Sequence, residues 1–238
     1  MKSDKKIPDI LYEDHEITVI RKPAYFSVQS AMQTKADCVS FLKNHIHEKE
    51  GIKDPYTAPI HRLDEPVEGI VVFANNKRSA AFLSDELKKG RFDKRYTAAV
   101  KSSGFAFPEE NGQKLLVDHI VKEKKGNLSK AVPEGTPGAK RAELIYSVDS
   151  KIRLNDTDEV YILDIRLLTG RHHQIRLQLK NAGFPVIGDR KYGSSDENEF
   201  PLCLCADRLT FNHPKTGKKM EFKIEPGFML KFDIKGQD

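Results

Sequence analysis

A carboxylate at the entrance to a strongly apolar segment is the first candidate for chemistry in this chain. Asp64 ends the motif HRLD at residues 61–64, and the apolar segment 69–74 begins five residues later. Burying a carboxylate beside such a segment is unfavourable unless a cation lies close to it. Asp64 either caps a turn, a common role for a loop aspartate, or is a reactive group that needs a cationic partner from elsewhere.

Residues 168–177 supply two candidate cations. Arg171 and Arg176 stand around the predicted start of a helix, and each has a rigid donor fork that suits a carboxylate or a phosphate. His172 and His173 lie between them. Adjacent side chains on a helix point about 100° apart, so these two rings do not converge on one metal ion. We expect them to contact phosphate or backbone instead.

A third segment, KRY at residues 94–96, combines two cations with an aromatic ring. Tyr96 offers a flat apolar face with a polar tip. The ring is either part of the core, which is a common place for a strand tyrosine, or a surface on which a planar ligand stacks.

The elements that must position these side chains can be read from the hydrophobic pattern. Strands are predicted at 17–20, 69–74, 94–100, 142–148 and 161–167, helices at 37–49, 77–89 and 172–182, and a hairpin at 207–224. Residues 101–140 are predicted to be exposed loops and short strands. The sum is an α+β protein with a mixed, mostly antiparallel sheet. Because no linker is evident, residues 1–238 are predicted to form a single catalytic domain.

The charge is distributed unevenly along the 238 residues, whose formal net charge is +5. Residues 85–101, 114–141 and 166–191 carry net charges of +3, +4 and +5. Separate positive segments are typical of a protein that binds a polyanion. Solvated basic faces on a protein with another function would produce the same pattern.

Composition argues against several other classes. No run of about 18 apolar residues exists, so we expect no transmembrane helix and no membrane association. The polar start favours a cytoplasmic protein without a signal peptide. Cys203 and Cys205 lack a second cysteine or histidine pair at zinc-like spacing. We therefore expect no bound metal.

Together, the motifs resemble those of RluA-type pseudouridine synthases, which convert uridine in RNA to its C–C linked isomer. The matching segments, in order, are HRLD (61–64) with Gly69, KRY (94–96), TGRHHQIR (169–176), GFPVIGDRKYG (183–193) and LTFNHPKTG (209–217). Residues 10–14 and 21–23 also resemble the first strand and the Lys-Pro turn of the family. The resemblance covers about residues 10–225, so we expect no S4-type domain before it.

The resemblance implies the pseudouridine synthase fold, with its sheet bent around a basic cleft. It also implies three catalytic residues. Asp64 is the essential carboxylate, Arg176 pairs with it and keeps it ionised, and Tyr96 lies against the uracil. Two routes stay open: attack of Asp64 on C1′ of the sugar, or removal of a proton from C2′ to give a glycal.

The same resemblance implies an enzyme that has rRNA or tRNA as its partner and needs no cofactor, because the reaction is an isomerisation. We expect a monomer. The target base must leave the helix before it can react, and Arg62 is expected to fill the vacated position. The other residues expected to contact RNA are His61, Lys94, Arg95, Arg171 and His173.

Departures from the family pattern concern the region around the aspartate. The family usually has Thr-Ser before the glycine, whereas this chain has Val67 and Glu68, preceded by Pro66. We expect this difference to affect substrate choice more than chemistry. Two rival interpretations are a glycoside hydrolase, which normally needs two acids flanking the bond, and a catalytically silent RNA-binding protein of the same fold.

Overall fold

Strands dominate the architecture, and helices cover parts of their faces. The computed structural model describes residues 7–32, 34–101, 112–123, 126–153, 159–193 and 200–233. Within these ranges the elements are β1 (Asp9–Glu13), β2 (Ile17–Lys22), α1 (Cys38–Glu50), β3 (Ala58–Pro59), β4 (Glu68–Ala74), α2 (Lys77–Lys88), β5 (Asp93–Lys101), β6 (Lys114–Lys122), β7 (Ser129–Val132), β8 (Lys140–Arg153), β9 (Glu159–Leu167), α3 (Gln174–Asn181), β10 (Leu204–Asn212), β11 (Lys219–Lys223) and α4 (Leu230–Asp233). The α+β class with a mostly antiparallel sheet is confirmed.

The chain divides into two compact units. The first contains residues 1–93 and 206–224, and the second contains residues 94–205 and 225–238. A single catalytic domain and a basic cleft stay predictions. No helix among the described residues is both long enough and apolar enough to cross a membrane.

The first unit is built around β4, whose apolar residues are buried on both faces. Its strand order is β1-β2-β4-β10, with β3 also paired to β4 and β11 to β10. Residues Ile70–Ala74 are at most 1% exposed, which explains why this strand reads as a continuous apolar run. The helices begin at side-chain caps: Asp37 accepts from the backbone of Ser40 before α1, and Asn76 accepts from Ser79 before α2.

The second unit has the strand order β5-β9-β8-β6-β7. Helix α3 packs against β6 and β8 through a small core that contains Ile120, Ala142, Leu177 and Tyr192. The nine-residue strand β6 is longer than the short strands predicted for 101–140. Its pattern is weak because it buries Ile120 while Leu115 and Val117 on its other face stay exposed.

Candidate active site

The loop that carries Asp64 is held by buried residues on both sides. The carbonyl oxygen of Asp64 accepts a hydrogen bond from the backbone of Val67 at 3.0 Å, which closes a turn. Leu63 and Val67 are buried while Asp64 is half-buried. At Gly69 a Cβ would lie 2.5 Å from Cβ of Ala206, so only glycine permits the close approach of β4 and β10 directly after the turn.

A fully buried lysine, Lys22, holds this turn by donating hydrogen bonds to backbone carbonyl oxygens. Nζ of Lys22 donates to the carbonyl oxygens of Pro23 at 2.9 Å, Phe26 at 2.7 Å and Glu65 at 3.0 Å. Burial lowers the pKa of Lys22 to about 8, although the nearby Glu65 and Asp64 act in the opposite direction. Lys22 and Pro23 resemble the Lys-Pro turn of the family, but the sequence alone indicated no role for the lysine. The acids that precede the apolar segment, Asp64, Glu65 and Glu68, were the sequence feature that could have indicated a buried cation near this turn.

Two further acids beside Asp64 are neutralised. Glu65 accepts from Nζ of Lys35 at 2.8 Å and from the hydroxyl of Ser27 at 2.9 Å. Glu68, the acid that departs from the family pattern, pairs with the guanidinium of Arg21, whose Nε donates to it at 2.7 Å. Glu68 therefore does not place an unpaired negative charge on this surface. Val67 is 3% exposed and serves as an apolar anchor.

The remaining predicted residues of the HRLD motif differ in exposure. Nε2 of His61 accepts from the backbone of Val72 at 3.3 Å, and its ring lies edge-on to Phe92. Arg62 is exposed. His61 thus fixes the loop to β4, while Arg62 has the accessibility that an RNA contact requires. Contact of either residue with RNA stays a prediction.

Arg176 lies in α3 and is 3% exposed. Its Nε and Nη2 donate to the two carboxylate oxygens of Asp189 at 2.8 and 2.6 Å, and the guanidinium lies 5.3 Å from the centre of the Tyr192 ring. Asp189 also accepts from the backbone of Lys191 and Tyr192. Asp189 lies within the motif at residues 183–193, but its sequence position did not indicate that it pairs with Arg176. The pairing of Arg176 with Asp64 stays a prediction.

A cluster of aromatic and imidazole rings sets the start of α3. His173 adopts a left-handed backbone, with φ of 53°, and its Nδ1 lies 2.9 Å from the hydroxyl of Tyr192. The ring of His172 stacks on it at 3.8 Å. Burial is the main cause that lowers the pKa of His173 to about 3, and the charge of the nearby Arg176 contributes to the same shift. His173 is 6% exposed, so its visible role is to position α3, and RNA contact stays a prediction.

The turn before α3 is fixed by Gln174. Its side-chain oxygen accepts from the hydroxyl of Thr169 at 2.7 Å and from the backbone of Arg171 at 2.9 Å. Nε of Arg171 donates to the carbonyl oxygen of Arg141, and the side chain is exposed. The two arginines of the TGRHHQIR motif therefore occupy contrasting environments: Arg176 is buried in an ion pair and Arg171 faces solvent.

The KRY segment lies on β5, where successive side chains point to opposite faces. Tyr96 is 8% exposed and pairs in register with Ile165 of β9. Lys94 shares its face. Arg95 points to the other side, where its guanidinium lies 3.3 Å from Asp164. The structure thus places Lys94 and Arg95, which were both predicted to contact RNA, on opposite faces of β5.

The predicted site residues fall into two groups. His61, Arg62 and Asp64 belong to the first unit, while Tyr96, Arg176 and the other predicted RNA contacts belong to the second. Among the described residues no group of three or more histidine, cysteine, aspartate or glutamate side chains is arranged to hold a metal ion. Burial raises the pKa of Cys38 and of Cys203 to about 12, so neither is a thiolate at neutral pH.

Comparison with known proteins decides the family. Residues 16–181, which are more than half of the chain, match the family model described as RNA pseudouridylate synthase. The chain belongs to the RNA pseudouridylate synthase family. These enzymes are isomerases that act on uridine in RNA, and the predicted RluA-type resemblance is confirmed.

Two relatives match over most of their lengths. The tRNA pseudouridine synthase C of Haemophilus ducreyi is 29% identical over 231 residues, which cover 89% of this chain and 88% of that protein. The dual-specificity RNA pseudouridine synthase RluA of Haemophilus influenzae is 28% identical over 232 residues, covering 92% and 94%.

The fold is also found in a solved structure. Human RNA Pseudouridylate Synthase Domain Containing 1 superposes with a TM-score of 0.74 at 20% identity, covering 99% of this chain and 90% of that one. At this level of identity the likeness concerns the fold alone, and it confirms the pseudouridine synthase fold.

Proposed function

We propose that this RNA pseudouridine synthase modifies uridine in tRNA or rRNA and that Asp64 is its essential carboxylate. The observation that carries the proposal is the Asp64 turn in a chain of this family. The buried residues Lys22, Leu63 and Val67 hold the turn. Both neighbouring acids, Glu65 and Glu68, are paired with cations. An enzyme that isomerises a glycosidic bond needs such a group held in one geometry.

The remaining roles follow the family resemblance. Arg176 supplies the cation that keeps Asp64 ionised, and Asp189 orients its guanidinium through Nε and Nη2. Tyr96 stacks on the uracil while the base is detached and reattached. Arg62, which is exposed, occupies the position that the target base leaves when it flips out. The protein acts as a cytoplasmic monomer without a cofactor.

The choice between tRNA and rRNA rests on relatives. One of the relatives described above is named for tRNA and the other for dual specificity. The basic segments support RNA binding of either kind, because each neutralised phosphate releases counterions. Binding should therefore weaken steeply with added salt. A flat response in a filter-binding series would remove this electrostatic support.

Tritium release from RNA labelled with [5-³H]uridine tests the activity, since forming the new bond at C5 releases that hydrogen. We expect release with wild-type protein on host tRNA or rRNA. Asp64→Asn should abolish release while folding and RNA affinity stay close to wild type. Turnover of the variant within tenfold of wild type, a barrier change of about 1.4 kcal/mol, would show that Asp64 is not essential. A protein that binds RNA but releases no tritium would favour the catalytically silent alternative.

A further inference from the structure

Lys94 is a half-buried cation for which the described residues supply no acceptor. It lies near the start of β5 on the same face as Tyr96. Within the described part of the chain, no carbonyl oxygen or carboxylate accepts from its Nζ at hydrogen-bond or ion-pair distance. Burial lowers the pKa of Lys94.

Two other cations, one buried and one half-buried, have acceptors within the protein. Lys22 is fully buried, and three carbonyl oxygens accept from its Nζ. Arg95, the next residue after Lys94, lies on the opposite face beside Asp164. A lysine amine carries three donors, and removing its charge from water without an acceptor is unfavourable. Lys94 is therefore a group whose acceptor is expected to come from a ligand.

The amine of Lys94 lies beside a residue that has no side chain. Its Nζ lies over Gly170, at the exposed turn that leads into α3, and a Cβ at that glycine would lie 3.4 Å from the amine. A larger residue would crowd the amine from this side. Tyr96 stands two residues along the same face of the strand, about 6.6 Å away at the usual rise per residue, which is within the reach of one nucleotide.

We propose that Nζ of Lys94, held over Gly170, binds one phosphate of the RNA strand that carries the target uridine. The inference rests on the proposed function and deepens it: Lys94 positions the strand, while Tyr96 receives the base. Phosphate is the anion that RNA presents regularly along its backbone, and a compact ammonium binds it as a point charge. The other basic residues of the segment then contribute to affinity without selecting a particular phosphate.

A double-mutant cycle between the protein and the RNA backbone tests this proposal. The probe is a synthetic fragment of the RNA that releases tritium in the assay above. In each member of a series, one phosphate near the target uridine is replaced by a neutral methylphosphonate. Lys94→Met removes the charge and keeps the apolar stem. Lys180→Met is the matched control, because it removes an exposed lysine charge from the same unit.

We expect Lys94→Met to weaken binding of the unmodified fragment about tenfold, the size of one hydrogen bond to a charged group. Wild-type protein should lose a similar factor when one particular linkage is neutral, and Lys94→Met should lose nothing further at that linkage. Lys180→Met should retain the wild-type sensitivity at every linkage. Equal sensitivity of Lys94→Met and wild type at every linkage would overturn the proposal, even if tritium release is normal.

A second measurement is independent of turnover and of the identity of the RNA. In protein labelled with ¹⁵N at lysine Nζ, the Lys94 signal is identified by its absence from Lys94→Met. Uridine 5′-monophosphate and inorganic phosphate should shift this signal, whereas uridine should not. Failure of tritium release together with this shift would refute the proposed function and keep the phosphate site. If phosphate and the nucleotide leave the signal unmoved, the proposal is wrong; should Lys94→Met fail to fold, Lys94→Arg provides the identification.

Discussion

Arg176 and Asp189 form a two-point ion pair in the interior of the second unit, with N–O distances of 2.8 and 2.6 Å. Asp189 follows Arg176 by thirteen positions, and the turn that begins at Asp189 brings its carboxylate back to α3. The pair occupies Nε and Nη2 of the guanidinium, so its orientation is set by protein groups before any substrate binds. Such preorganisation is what a positioned catalytic cation requires.

Asp189→Asn should destabilise the fold strongly. The change keeps the shape of the side chain but leaves Arg176 buried beside a neutral amide, which typically costs about 3–5 kcal/mol. Urea unfolding measures the loss. Asp54→Asn is the matched control, because Asp54 forms a 2.6 Å pair with Lys43 at the exposed surface, and solvent screening should make its removal hard to detect. Equal stability of the two variants would contradict the structural importance of the buried pair.

Arg176→Met should move the acid limb of the rate–pH profile toward higher pH. If Arg176 keeps Asp64 ionised, its removal raises the pKa of that carboxyl, and protonation then inactivates the enzyme at a higher pH. Arg176→Lys separates this effect from lost stability, because it disrupts the two-point pair with Asp189 but retains the positive charge, and it should leave the acid limb close to that of wild type.

Arg171→Met is the second control for the same experiment. Arg171 is exposed, so its loss should weaken RNA binding and lower the salt slope by about one, without moving the pH limb. If Arg171→Met shifts the acid limb and Arg176→Met changes only the salt slope, Arg171 rather than Arg176 is the partner of Asp64.

His173→Asn should reduce the sensitivity of stability to acid. The pKa of His173 is about 3 in the folded protein, against an ordinary value of 6.5. Between these values the unfolded chain holds one proton more than the folded chain, so falling pH favours unfolding. Asparagine tolerates the left-handed backbone at this position and does not titrate.

Urea unfolding of both proteins from pH 7 to pH 3.5 measures the difference. Wild-type stability should decline more steeply than that of His173→Asn, by at most about 1.4 kcal/mol per pH unit for one proton. Parallel curves would mean that His173 binds its proton equally well in the folded protein.

Lys22→Met should change the pH dependence of stability on the alkaline side. The folded protein releases the Lys22 proton at about pH 8, whereas the ordinary pKa is 10.5. In that window the unfolded chain holds the extra proton, so rising pH stabilises the wild-type fold relative to the variant. The difference in unfolding free energy between the two proteins should grow from pH 8 to pH 10.5. A constant difference would contradict a lowered pKa for this lysine.

Several local features could be predicted from the sequence because the interactions that set them lie within a few residues. Asn76 caps α2, and Gly90, with φ of 71°, follows its end, as the side-chain types at those positions predicted. The run at 69–74 is a buried strand for the same reason. The helix predicted from residue 172 begins only at Gln174, because the left-handed backbone of His173 delays it.

The sequence by itself determined the family, the α+β class and which residue types carry the chemistry, because the residues of a motif and the periodicity of hydrophobic residues are local properties of the chain. Only the tertiary structure decided the partners. It paired Arg176 with Asp189, supported the Asp64 turn with Lys22, and placed Lys94 beside Gly170 while Arg95 met Asp164. These pairings depend on which groups, distant in sequence, are buried close together, because an unpaired charge in the interior is unfavourable. A local sequence pattern contains no information about such contacts.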